Sequence, residues 1–182
     1  AAIGLIARIG GRSFAGLGVG GVGGTALCTI GGSVASPGVR EVPVGTPLGE
    51  LVALAEPTSS ITGILLGGYG GSFVGPEALE APWSVPGLRP LGASPGAGVV
   101  HVIGAERCGV VEISRIARWM AHESAGQCGP CVFGLPALAE DLELVAQRRS
   151  KGRLDRRLHG HLDLIAGRGA CAHPDGVVRM VR

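Results

Sequence analysis

The feature that most constrains this chain is a change of pattern near Gly104. Residues 1–105 hold four basic and five acidic side chains, and residues 106–182 hold twelve and nine. The first stretch is rich in glycine and in short apolar runs. The second carries apolar residues at helical spacing with charges between them. A chain of 182 residues allows one ordinary domain or two small ones. The shift therefore places a boundary between residues 104 and 105.

Composition narrows the function classes. Glycine and proline make up about a quarter of the residues, yet hydrophobic residues reach 46% and charged residues only 16%. Disorder needs the reverse balance, so a packed fold is expected. Six aromatic residues and a net charge of +2 give neither stacking platforms nor a strong field for nucleic acid. Fifteen of the sixteen basic residues are arginine, and they are scattered. Residues 13–39 lack charge altogether, but nine glycines break the stretch and Pro37 interrupts it. Each glycine costs a helix about 1 kcal/mol against alanine, so strand and loop are expected there, not a membrane span. No basic start, apolar core and cleavage site of a secretory signal is visible.

In the first part, Ile3, Leu5, Ile6 and Ile9 form the stripe of a helix that Gly10 and Gly11 end. Gly18, Gly20 and Gly23 match G-x-G-x-x-G. That motif cradles a pyrophosphate only between a strand and a helix. Here a helix precedes and the strand-like TALCTI follows, so a flexible linker is expected. Strands are expected at 25–30, from Val39 to Val44, at 64–66 and at 98–103. Thr46 reads as an N-cap, with Pro47 opening a helix that runs to Ala55. Residues 75–95, with five prolines, read as irregular. His101 alternates with Val100 and Val102 and is expected to be structural. Together these elements make a compact α+β module.

The second part reads as a small helical bundle: one helix over 107–122, a second around Leu135–Val145, a third over Leu154–Ile165, and a last one near Asp175. His159 and His161 fall in a charged helical stretch and are expected in solvent. Arg148, Arg149, Ser150 and Lys151 read as a helix end and loop, where cations suit the dipole.

Five cysteines are present: Cys28, Cys108, Cys128, Cys131 and Cys171. An odd number in a chain without an export signal points to reduced thiols in the cytoplasm. Cys28 on a strand and Cys108 at a helix start read as small apolar residues. A helix over 108–122 would hold Cys108 about 20 Å from the cysteine loop at 1.5 Å per residue. Cys128-Gly-Pro-Cys131 sits in a turn between helices, and Cys171 returns forty residues later in a glycine-bounded loop. Thiolates on paired loops can converge on one metal centre. A thioredoxin-type dithiol would cap a helix after a strand; a helix precedes here, so that reading ranks below the metal site.

The loop ESAGQCGPC resembles the flavoprotein F subunit of bacterial NADH:quinone oxidoreductase, respiratory complex I. That family carries E-S-C-G-x-C-x-P-C and a further cysteine some forty residues on. Here His122, Glu123, Ser124, Gly126, Cys128, Pro130 and Cys131 match, and Cys171 in GRGACAHPDG stands where the last ligand belongs. GGSVASPGVREVPVGTPLGELV, LLGGYGGSFV and LGASPGAGVVHVI resemble the family's soluble-ligand-binding β-grasp (SLBB) module. AAIGLIARIGG resembles the end of its flavin domain.

The resemblance implies an α+β chain: a flavin-domain remnant and linker over 1–24, an SLBB-like β-grasp domain over 25–104, and a helical iron–sulfur domain over 105–182. It implies a 4Fe–4S cluster on Cys128, Cys131 and Cys171, and electron transfer between flavin and other iron–sulfur subunits. FMN and NADH would bind only upstream of residue 1, so NADH oxidation by this piece alone is not expected. The setting would be cytoplasmic or the inner face of the cell membrane, with no nucleic acid and no membrane insertion. Two positions depart from the pattern: Ala125 replaces the first loop cysteine, and Val132 replaces an arginine. Three thiolates can hold a 3Fe–4S cluster, or a 4Fe–4S cluster whose last iron takes water, an outside thiol or a side chain such as His173. The alternative is a non-redox interaction module, with a Cys3His zinc site or no metal.

Overall fold

The computed structural model describes residues 2–149 and 154–182, so Ser150 and Lys151 of the basic run lie outside the described residues. The chain divides into two compact units, Ala1–Glu106 and Arg107–Arg182.

In the first unit, α1 (Ala2–Ile9) and α2 (Gly11–Ala15) precede β1 (Thr25–Gly32) and β2 (Gly38–Pro43). Next come α3 (Leu48–Ala53), β3 (Ile61–Leu66), β4 (Ser72–Val74), α4 (Val85–Leu88) and β5 (Val99–Gly104). The five strands order as β2-β1-β5-β3-β4. The central pair, β1 and β5, is parallel, and the other pairs are antiparallel. With α3 packed on one face, this is the β-grasp arrangement. Alternation explains it: Cys28 and Ile30 on β1 and Val100 and Val102 on β5 point inward, against Leu48, Leu51 and Val52 of α3.

Gly32 shows why glycine was needed at the join of the parallel pair. Its φ is +93°, and a Cβ there would stand 2.0 Å from the Val102 carbonyl oxygen. Residues 16–24 are not the loose linker expected from their glycines. The Val19 N–H donates to the Val44 carbonyl at 2.8 Å, and a Cβ on Gly18 would overlap the Val22 carbonyl. These glycines permit close backbone approach. With α2 before them and β1 after, they lack the strand–helix order of a phosphate loop.

Two boundaries shift from expectation. Pro47 itself takes the N-cap of α3, and Thr46 Oγ1 instead donates to the Pro43 carbonyl at 2.9 Å. The proline-rich stretch holds 3-10 turns at Pro76–Glu80 and Arg89–Leu91 around α4, because its prolines occupy first-turn positions.

Cys28 is fully buried, and burial pushes its thiol up to about 11. Below pH 9 the thiol is neutral in both states. Between pH 9 and 11 only the unfolded chain releases the proton, so rising pH favours unfolding. We expect wild type to lose about 2–3 kcal/mol more than Cys28→Ala over that window, read from urea midpoints. Parallel pH profiles for the two chains would refute this.

The second unit is helical: α5 (Gly109–His122), α6 (Leu135–Ala146), α7 (Leu154–Ile165) and α8 (His173–Val181). Ile116, Ala117 and Met120 of α5 are buried, as are Leu135, Leu138 and Leu142 of α6 and Leu162 and Ile165 of α7. Near the start of α5 the Glu112 carboxylate is buried between Arg107 (3.1 Å) and Arg115 (2.8 Å). Desolvation alone would raise its pKa; the two guanidiniums outweigh it and lower it. Among the described residues, no helix is long and apolar enough to cross a membrane.

Candidate iron–sulfur site

The cysteine loop begins where α5 ends and Gly126 turns the chain with φ +63°. The sequence placed the next helix at Leu135. The structure starts helical winding earlier: the Val132 N–H donates to the Cys128 carbonyl at 3.0 Å, and a π-helical turn, Pro130–Gly134, runs into α6. Pro130 occupies the first turn, where its missing N–H costs nothing. Cys128 and Cys131 therefore lie one helical turn apart, with Cys128 half-buried and Cys131 buried.

The Cys131 S–H donates to the Cys128 sulfur, and the Ser124 hydroxyl donates to the Cys131 sulfur. The Ala170 N–H also donates to Cys128, which carries the neighbouring Cys171 loop to the same place. Cys171 is exposed, and its charge is felt at Cys131. The Ala170 N–H, then the Cys131 N–H and thiol, lower the Cys128 pKa. Burial first, then hydrogen bonding and charge at Cys128, push the Cys131 thiol up.

His173 opens α8 half-buried, and its Nε2–H donates to the Met120 carbonyl at 2.9 Å. That bond fixes the ring against the end of α5 and leaves Nδ1 as its free lone pair. Cys108 is exposed before α5, and Cys28 lies in the core of the other unit.

These residues suit an iron–sulfur cluster better than one bare ion. Among the described residues, no three His, Cys, Asp or Glu side chains close to the spacing a single ion needs. Tetrahedral zinc draws its ligands to about 2.0–2.3 Å from one point. A cluster spreads its thiolates over separate irons, and amide donors to sulfur are its usual company. The two loops carry three cysteines, and the exposed methyl group of Ala125 stands where the resembled loop has its first cysteine.

Two groups escaped the sequence reading. Ser124 was legible as part of the matched loop, but its contact with Cys131 was not. His161, expected in solvent, instead donates through Nδ1 to Asp141 at 2.8 Å, and Arg157 pairs with the same carboxylate. Asp141 is 1% exposed. His159 is exposed as expected. An open groove of about 410 Å³ runs beside the loop, lined by Gly129, Pro130, Phe133 and His161 among others.

The family described as the NADH-ubiquinone oxidoreductase-F iron-sulfur binding region matches residues 112–182. Residues 112–182 belong to that family. It is 30% identical over 159 residues to the F subunit of the NADH-quinone oxidoreductase of Streptomyces coelicolor, covering 84% of this chain and 35% of that protein. The corresponding F subunit of Buchnera aphidicola subsp. Schizaphis graminum is 29% identical over 162 residues, covering 85% and 36%. The chain thus spans about a third of the length of these relatives. The crystal structure of an NAD+-reducing nickel–iron hydrogenase in its H2-reduced state superposes with a TM-score of 0.87 at 29% identity, over 100% of this chain and 30% of that one.

Proposed function

We propose that this chain is an electron-transfer module, with Cys128, Cys131 and Cys171 holding a 4Fe–4S cluster, or a 3Fe–4S cluster when the corner facing Ala125 is empty. The observation that carries the reading is the approach of the two cysteine loops, with the Ala170 N–H directed at Cys128. A bound cluster supplies a one-electron carrier. The residues around it set its properties: the Ala170 and Cys131 amides favour anionic sulfur at Cys128, and hydrogen bonds to sulfur tune a cluster's potential. His173 is the nearest histidine in sequence to Cys171, and its Nδ1 is the side-chain nitrogen we assign to the fourth corner; the Nε2–H bond to Met120 is the kind that orients a ligating ring.

The β-grasp unit, over 25–104, acts as an SLBB-like module next to the iron–sulfur unit over 105–182. Partners would be other iron–sulfur subunits of an oxidoreductase complex, with FMN and NADH bound on an upstream domain and the assembly at the inner face of the cell membrane. The F-subunit and hydrogenase relatives support this reading.

Anaerobic loading with iron and sulfide is expected to give broad visible absorption that dithionite bleaches. Cys171→Ser is expected to lose it. Stoichiometric zinc, a colourless chain, or an unchanged spectrum in the variant would overturn the assignment and favour a non-redox interaction module.

A further inference from the structure

The helical winding that starts at Cys128 sets Cys128 and Cys131 one turn apart, the first half-buried and the second buried. Disulfide formation requires the two Cα atoms within about 7 Å, and residues three apart on a helical turn meet that limit. Gly129 and Pro130 between them fill the first turn, so little backbone movement is needed. The sequence ranks a thioredoxin-type dithiol below a metal site because a helix, not a strand, precedes the loop. The structure places it at the start of a continuous helical run into α6.

We propose that Cys128 and Cys131 are a dithiol–disulfide pair that exchanges with small-molecule disulfides and, when closed, withholds two sulfurs from iron. The effect on iron rests on the electron-transfer reading above; the exchange itself does not. The half-buried Cys128 sulfur attacks one sulfur of R–S–S–R, forming Cys128–S–S–R and releasing RS−, which takes up the proton that Cys128 lost. The Cys131 sulfur, one helical turn along, then attacks the Cys128 sulfur. The Cys128–Cys131 bond forms, the mixed disulfide breaks, and a second RSH leaves with the Cys131 proton. The chain loses two protons and two electrons, and R–S–S–R takes them up to become two RSH. Buried Cys131 needs no solvent access for its step.

The test uses the full chain, purified without metal and titrated with oxidised glutathione. Intact mass is expected to fall by two hydrogen atoms, and proteolytic mapping to find one peptide joining Cys128 to Cys131. Exposed Cys108 and Cys171 would carry at most glutathione adducts, which mapping separates and which are subtracted from the intact mass. Cys131→Ser is expected to stop at a stable glutathione adduct on Cys128. The oxidised wild-type chain should take up roughly tenfold less iron than the reduced chain, recovering with dithiothreitol. A glutathione adduct at Cys128 in wild type without the internal bond would overturn the pair, as would a Cys128–Cys171 link. Equal iron uptake by oxidised and reduced chains would overturn the effect on iron. If the reduced chain takes no iron while the internal disulfide forms, the electron-transfer reading fails and the exchange stands.

Discussion

A chain carrying Ala125→Cys, loaded anaerobically and then exposed to air, is expected to keep about four irons where wild type falls to about three. The argument is local. Ser124 already reaches Cys131, and residue 125 follows it in an exposed turn that Gly126 completes. A thiolate at 125 would restore the pattern of the loop that this segment resembles. An iron without a protein thiolate is the one that air and chelators remove first. The wild-type chain should therefore develop the paramagnetic signal of an oxidised 3Fe–4S cluster, and the variant should not. Chelator resistance should rise by about tenfold or more, the size of change that ligand-shell alterations produce. Identical iron counts and identical signals in the two chains would mean the fourth corner is already filled. His173→Ala then decides by whom: loss of one iron in that variant identifies Nδ1 as the ligand, and no loss excludes it.

What could be read from the sequence and what could not divide on physical lines. Strand alternation in TALCTI and GVVHVI, and helical spacing from Val110 to Met120, report burial on one face, so they located β1, β5 and α5. The thiol spacing in Cys128-Gly-Pro-Cys131, with Cys171 in a second loop, identified the site through resemblance. Glycine misled twice. Around Gly18 it permits tight contact rather than mobility, and sequence cannot tell these apart without the partner backbone. In the cysteine loop, the glycine and proline suggested a turn, but proline is equally at home in a first helical turn. Pairings across helices were invisible for a simpler reason. Nothing in the order of residues says that Asp141 of α6 faces His161 and Arg157 of α7, twenty and sixteen positions on.

That last pairing carries the largest stability effect we expect. Asp141 is 1% exposed, and its two oxygens meet the Arg157 guanidinium and His161 Nδ1. Arg157 is half-exposed and His161 about a quarter exposed, and either would regain water if the contact broke. The carboxylate would not. Removing both partners with Arg157→Ala and His161→Ala strands a buried charge, which costs about 3–5 kcal/mol. Arg157→Ala alone should cost less, because its guanidinium is screened by solvent. Adding Asp141→Leu to the double variant should recover most of the loss, since it removes the stranded charge and fills the space. Urea midpoints of the full chain, followed by helical circular dichroism, make the comparison. The consequence reaches the site: α6 continues the helical run that starts at Cys128, and His161 shares the groove with Gly129 and Pro130. Iron retention by the double variant should fall along with its stability. A double variant within about 0.5 kcal/mol of wild type would mean that Asp141 is served by water and that the pairing does not hold α6 against α7.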